Sequence, residues 1–328
     1  MSRPKVYLSR KLPQAAVDIV AAACDYRMWE SEEQPVPRDV LIRELQEADG
    51  ALVLLTDRID PELMDAAPRC KVYANMAVGY DNVQVPEATK RGVLITNTPG
   101  VLTETTADLA FALVMASARR LYEGQRLIVE DRWKTWSPMF MTGQDIYGAT
   151  LGIIGAGRIG SAVARRAKGF DMKILYHNRQ PSQELEAEVG AEYCGLDDLL
   201  RRSDFVVVLV PLTPETRGLI GARELGLMKP TAILVNAARG PIVDEQALYE
   251  ALVQKKIWAA GLDVFDKEPI SSDHPLLSLP NVTAVPHIGS ASIATRTRMA
   301  TLAAENLVAA VTGRRPPAPV NPEVLERW

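Results

Sequence analysis

The sequence predicts an α/β protein with two largely parallel sheets, and three observations carry that expectation. Strand-like apolar runs alternate with helix-period segments along the whole chain. One complete series of these alternations precedes the first glycine-rich turn. The stretch from Leu151 to Arg179, LGIIGAGRIGSAVARRAKGFDMKILYHNR, then reads as one strand–turn–helix–strand unit. A chain of 328 residues is long enough for two domains.

The elements follow in order. KVYLS reads as a strand, PQAAVDIVAAA as a helix and CDYRMW as a strand. PRDVLIRELQEA is a helix opened by a favourable proline. GALVLL is a strand, and CKVYANM and GVLIT continue the first sheet. Residues 101–128 carry a long apolar face, with Thr103 and Glu104 suited to a helix start, and read as one long connecting helix. After the glycine unit come the strands SDFVVVLVP, TAILVNAAR, WAAGLDVF and NVTAVPH. Residues 291–313 form a second long helix that returns the chain to the first domain. A proline-rich tail follows, extended and either docked or free. The expected division is 1–98 with 290–328 as one discontinuous domain and 99–289 as the other.

Bulk properties narrow the class. A formal net charge of -4 offers no basic field for nucleic acid or an anionic membrane. Cys24, Cys70 and Cys194 stand in no metal spacing; no metal is expected, and so sparse a set fits a reducing compartment. The N-terminal stretch lacks a signal-like apolar region, and the run FVVVLV is too short to span a bilayer. A cytoplasmic location is the expectation.

Gly155-Ala156-Gly157-Arg158-Ile159-Gly160 matches the G-x-G-x-x-G signature of dinucleotide binding, in the required context between strand and helix. Gly155 permits the tight turn, Gly157 admits a pyrophosphate close to the backbone, and Gly160 lets helix and sheet pack closely. The pyrophosphate would meet free N–H groups at a helix N-terminus. Where an NAD-type site usually carries an acid, this chain has Asn178 and Arg179. Arg179 can pair with a ribose 2′-phosphate and Asn178 can donate to it, so NADP(H) is expected to be preferred, with NAD(H) possible.

The chain has three histidines. His177 ends the strand after the glycine helix and should lie near the adenosine. His274 precedes a proline and suits local capping. His287 ends a strand on the expected ligand side, where open α/β sheets bind their ligands. Arg239 and Glu268 follow two neighbouring strands. Together the three fit hydride transfer to a 2-oxo acid. A guanidinium takes the carboxylate bidentately, an imidazole gives a proton to the carbonyl oxygen, and a carboxylate beside that imidazole favours its charged form.

These residues sit in longer motifs: NMAVGYDNV (75–83), TNTPGVLTETTADLAFAL (96–113), LGIIGAGRIG (151–160), VPLTPETRGLI (210–220), LMKPTAILVNAARGPIVDE (227–245), AAGLDVFDKEP (259–269) and LPNVTAVPHIGSA (279–291). Over essentially its whole length the chain resembles the D-isomer-specific 2-hydroxyacid dehydrogenases. It is most similar to the branch of glyoxylate/hydroxypyruvate reductases and 2-ketogluconate reductases. The resemblance implies two Rossmann-like or flavodoxin-like domains with the active site in the cleft between them. It implies catalytic roles for Arg239, Glu268 and His287, and substrate-carboxylate contacts from the backbone of Val78 and Gly79. It implies cofactor contacts from Thr106, Gly157, Arg158, Ile159, Pro211, Thr216, His287 and Gly289. Asp263 would bond the nicotinamide carboxamide.

The segment WKTWSPMFMTGQDIYG (133–148) is unusually apolar for a connection. The resemblance makes it a dimer-forming extension, one of whose apolar side chains can approach the partner's active site, so a two-fold homodimer is expected. Glyoxylate and hydroxypyruvate suit a small pocket, and 2-keto-D-gluconate a more open one. Two other readings are weighed. A 3-phosphoglycerate dehydrogenase would want a basic phosphate cluster and often a further regulatory domain. A nucleotide-sensing corepressor-like protein on the same scaffold would want long disordered flanks.

Overall fold

The computed structural model describes residues 3–327. By its internal contacts the chain forms two compact units, Met1–Leu102 with Ala291–Trp328, and Thr103–Ser290.

The first unit alternates β1 (Lys5–Leu8), α1 (Gln14–Ala23), β2 (Asp25–Met28), α2 (Arg38–Gln46), β3 (Gly50–Val53), α3 (Pro61–Ala66), β4 (Val72–Asn75), α4 (Val85–Lys90) and β5 (Leu94–Thr96). Its described strands form one parallel sheet in the order β2-β1-β3-β4-β5. Tyr7, Val53, Tyr73 and Ile95 point to one face, under Leu41, Leu45 and Leu63 of α2 and α3. The return helix, which becomes α12 below, lies across β3 and β4 and packs against α1. Its approach is close: a Cβ on Gly50 would fall 2.8 Å from both Leu307 and Val311.

The second unit opens with α5 (Thr103–Ala118) and α6 (Leu121–Val129). It continues β6 (Thr150–Ile154), α7 (Arg158–Lys168), β7 (Lys173–His177), α8 (Gln183–Val189), β8 (Glu192–Tyr193), α9 (Leu196–Arg202), β9 (Phe205–Val208), α10 (Ala222–Leu227), β10 (Ile233–Asn236), α11 (Glu245–Val253), β11 (Ala259–Leu262) and β12 (Val282–Ala284). These strands form a parallel sheet in the order β12-β11-β10-β9-β6-β7-β8. Both faces of its central strands are covered, which is why β6, β9, β10 and β11 read as apolar runs. Leu151, Ile153, Phe205, Val207, Ile233 and Val235 face α5 and α7, while the alternate residues Ile154, Val206, Val208 and Leu234 face α9, α10 and α11. The order places β6 beside β9, so the chain reverses direction across the sheet there, the position at which such sheets bind ligands.

The single helix expected over 101–128 is two helices. Arg120 adopts a left-handed backbone (φ 53°) between them. The Ala118 carbonyl, which would continue the helix, instead accepts the Gln144 N–H at 3.0 Å. Gly143 packs so near that a Cβ there would sit 2.0 Å from the Ala118 oxygen. Arg120 then closes the corner on Glu123 and the Thr142 carbonyl. The break is tertiary in origin, and the apolar period passes through it unchanged.

The return helix is α12 (Ile293–Val311), capped by the Ser292 hydroxyl on the Thr295 N–H. The proline-rich tail is docked, with the Val320 N–H on the Ile95 carbonyl at 2.8 Å beside β5. Buried Asn321 accepts the Ile95 N–H and donates to Thr89 and the Val93 carbonyl. Among the described residues no helix is long and apolar enough to cross a membrane.

Candidate active site

The glycine turn forms as its sequence requires. Gly155 leaves β6 with φ +96°, and a Cβ on it would lie 2.6 Å from the Val210 nitrogen. Gly160 faces back into the turn, where a Cβ would meet the Gly155 oxygen at 2.5 Å. Gly157 differs: the space where its Cβ would stand is open, and it caps α7 without a side chain. The N–H groups of the first turn, Arg158 to Gly160, are therefore available to an anion. An open face over Gly157, free N–H groups and a helix of 11 residues behind them fit the pyrophosphate of a dinucleotide.

Asn178 does not take the place expected of it. Its side chain turns inward onto the turn, accepting the Ala156 N–H at 2.7 Å and donating to the Ala156 carbonyl at 3.2 Å. Asn178 thus shapes the glycine turn, and its neighbour Arg179 is exposed. The Asn178 carbonyl accepts the hydroxyl of Tyr193 at 3.2 Å. Tyr193 lies on β8, a two-residue strand too short for the sequence to announce. Nearby, the Thr216 hydroxyl donates to the Pro211 carbonyl at 2.7 Å and accepts the Thr213 N–H, fixing the loop after β9. Glu215 on that loop has its pKa lowered, first by the Thr213 hydroxyl and to a smaller extent by the charge of Arg179.

His177 ends β7 with Nδ1 3.0 Å from the Cys194 carbonyl. His274 caps a short 3-10 turn, with Nε2 3.2 Å from Glu245.

The ends of β10, β11 and β12 bring the proposed catalytic side chains together. After β10, buried Asn236 accepts the Ala238 N–H and donates to the Arg239 carbonyl, bending the backbone that carries Arg239. Gly240 then lies flat against the loop after β11: a Cβ there would be 1.8 Å from the Phe265 carbonyl carbon. Only glycine lets these two loops touch. Neither Asn236 nor Gly240 stood out in the sequence, although both lie inside the quoted NAARG motif.

Glu268 accepts the Phe265 N–H at 2.9 Å on one oxygen, and its other oxygen is 2.7 Å from His287 Nδ1. Burial alone would raise the Glu268 pKa. The hydrogen bond and charge of His287, the Phe265 N–H and the charge of Arg239 overcome it, and the carboxyl titrates below its usual range. His287 adopts φ 52°, uncommon for a residue with a side chain, and its N–H donates to the carbonyls of Asp263 and Val285.

Asp263 holds that turn. It is 1% exposed, and its two carboxylate oxygens accept the N–H groups of Ile288 (2.6 Å) and Gly289 (2.9 Å). Burial raises its pKa against those hydrogen bonds and the pull of His287. Gly289 is packed too: a Cβ there would lie 3.0 Å from Asp263 Oδ2 and 3.3 Å from Thr106 Cγ2. Thr106 is buried on α5. Val78 and Gly79 lie in the loop after β4, in the first unit. Among the described residues no group of three or more His, Cys, Asp and Glu side chains is placed to hold a metal ion.

A parallel sheet with a glycine turn open to a pyrophosphate, beside a carboxylate–imidazole pair and an arginine, defines an oxidoreductase that uses a nicotinamide dinucleotide. The sequence model described as "D-isomer specific 2-hydroxyacid dehydrogenase, NAD binding domain" matches residues 111–289. A glyoxylate reductase of Korarchaeum cryptofilum is 52% identical over 325 residues, covering 99% of this chain and 98% of that protein. One from Thermococcus onnurineus is 50% identical over 327 residues, covering 98% and 97%. Among solved structures, an NADPH-dependent glyoxylate/hydroxypyruvate reductase from Sinorhizobium meliloti, in complex with NADP and malonate, superposes with a TM-score of 0.83 at 35% identity, over 97% of both chains. A Thermus thermophilus protein superposes with a TM-score of 0.89 at 44% identity, over 96% of this chain and 99% of that one. The chain belongs to the D-isomer-specific 2-hydroxyacid dehydrogenase family and is an NAD(P)-dependent oxidoreductase.

Glu268 has a depressed folded pKa, so its contribution to stability is present above its unfolded value of about 4.3 and is lost as pH falls through the folded value. Glu268→Gln should therefore destabilise the protein by about 1–3 kcal/mol at pH 7. The difference from wild type should shrink as pH falls below about 4.3 and vanish once Glu268 is protonated in the folded protein. Urea unfolding at a series of pH values measures this, and a pH-independent difference would count against the ion pair.

Proposed function

We propose that the protein reduces a small 2-oxo acid, glyoxylate foremost and hydroxypyruvate next, to the 2-hydroxy acid with NADPH. The observation that carries the reading is the His287–Glu268 pair at 2.7 Å, on a turn held by buried Asp263, in a chain about half identical over its length to glyoxylate reductases. When bound, the reduced nicotinamide supplies a hydride to C2 of the substrate. Arg239 binds the substrate carboxylate, and the family resemblance assigns the N–H groups of Val78 and Gly79 to a substrate carboxylate as well. Because Nδ1 of His287 is engaged by Glu268, Nε2 is the nitrogen left to give its proton to the carbonyl oxygen. The resulting hydroxyl balances the hydride at carbon. Glu268 steadies the imidazolium and fixes which nitrogen is presented.

The preference for NADPH is supported by exposed Arg179, and by the lack of a carboxylate at 178–179. The Sinorhizobium relative is itself described as NADPH-dependent. Two apolar stretches, the outer face of α6 and residues 133–140, support a homodimer. Val129, Trp136 and Met139 are 75%, 75% and 77% exposed on a monomer. A second copy of the chain covers them.

Three experiments test these proposals. With glyoxylate and NADPH, His287→Ala should lower kcat by about 10²–10⁴. Full activity in that variant would remove the proton-donor assignment. Arg179→Ala should lower the ratio of kcat/KM for NADPH over NADH by about tenfold or more, the scale of one charge-assisted phosphate contact; an unchanged ratio defeats the cofactor proposal. In sedimentation velocity the wild type should run as a dimer and the Val129→Glu, Trp136→Glu double variant as a monomer, and a monomeric wild type would refute the assembly.

A further inference from the structure

The loop after β4 holds the two N–H groups assigned above to the substrate carboxylate, and it is braced from behind. The Thr98 N–H donates to the Ala77 carbonyl at 2.9 Å. The Asn97 side-chain amide donates to the Val78 carbonyl at 2.9 Å. The Asn75 amide donates to the Gly79 carbonyl at 3.1 Å. Among the described residues the cis peptide is Glu268–Pro269, so the peptides joining 77 to 78 and 78 to 79 are trans. In a trans peptide the C=O and N–H point in opposite directions. Drawing the Ala77 and Val78 carbonyls toward the Asn97–Thr98 segment turns the N–H groups of Val78 and Gly79 away from it. No described backbone group accepts either of them. Two successive N–H groups presented in this way make a small anion-binding concavity.

Asn97 is itself anchored. Its N–H donates to the Ala318 carbonyl at 3.2 Å, and its carbonyl accepts the Asn306 amide at 3.0 Å. Fully buried Asn306 of α12 also accepts the Ala318 N–H at 2.9 Å. The brace therefore runs from the return helix and the docked tail, through Asn97, to the loop.

We propose that Asn97 is a positioning residue for the substrate carboxylate, its amide fixing the Val78–Gly79 peptide so that both N–H groups converge on the anion. The inference rests on the assignment of Val78 and Gly79 to that carboxylate. Asn97 touches no reacting atom, so its loss weakens binding of the acid and leaves the hydride step alone. Asn97→Ala should raise KM for glyoxylate about tenfold, keep kcat within about twofold, and leave NADPH affinity unchanged. Asn97→His, which keeps an N–H donor at the same distance from the backbone, should recover most of the loss. Asn97→Ser, whose hydroxyl is too short to reach, should behave as the alanine variant does and replaces it if that variant is insoluble. In parallel, the wild-type amide NMR signals of Val78 and Gly79 should shift when oxamate, an unreactive 2-oxo acid analogue, is added with NADP. If those signals shift while KM is unchanged in Asn97→Ala and Asn97→Ser, the role of Asn97 is overturned and the carboxylate assignment stands. If the signals do not move, the carboxylate assignment itself falls. A loss of kcat, NADPH affinity and thermal stability together with the rise in KM, without rescue by histidine, would mark Asn97 as merely structural.

Discussion

Buried Asp263 is the constraint on which the chemistry of the second unit depends. A carboxylate taken out of water costs several kcal/mol unless its lone pairs are satisfied. Here the Ile288 and Gly289 N–H groups satisfy them, and in doing so they fix the turn that carries His287. The left-handed backbone of His287 is held by the same residue through the Asp263 carbonyl. A second carboxylate, Glu268, approaches the imidazole itself. The two acids diverge: burial pushes the Asp263 pKa up, whereas Glu268 is drawn down by its partners despite burial. One acid works as scaffold and the other as the charged partner, a division set by environment and not by residue type.

The glycine turn depends on a comparable internal contact. Its backbone is preformed by Asn178, which binds both polar groups of Ala156. A helix N-terminus attracts an anion only if its N–H groups are left free and accessible, and the uncapped start of α7 under Gly157 meets both conditions. The strand end therefore divides its work between neighbours, Asn178 ordering the turn and Arg179 remaining in solvent.

Much of this architecture is legible in the sequence. The central strands of both sheets follow from apolar runs separated by helix-period segments, because strands covered on both faces must be apolar at nearly every position, whereas the edge strands β2 and β8 are largely exposed. The glycine turn and the Arg239, Glu268 and His287 strand ends are legible for the same reason: each is fixed by a strand that the sequence defines. What stays hidden depends on contacts between distant segments. The break between α5 and α6 comes from Gly143 and Gln144 closing on Ala118, some 25 residues away in sequence. The direction taken by Asn178 is a rotamer choice that no local pattern encodes. Gly240 looks like any glycine after a strand until Phe265 is found against it.

The same device recurs at the strand ends of both units, and it follows from parallel-sheet geometry. A loop leaving a parallel strand loses its ladder partners, so its peptide groups must be oriented by something else. Short side chains that bond to backbone serve this purpose: Asp263 on 288–289, Asn178 on Ala156, Asn236 on 238–239, Asn97 on Val78. Each is the last residue of a strand or the residue just after it. A side chain with only two rotatable bonds rooted in the sheet holds a peptide more firmly than the loop could hold itself. Site residues on loops are thereby given the positional precision of the sheet, which hydride transfer requires because reacting atoms must approach to roughly 3–3.5 Å in a defined orientation.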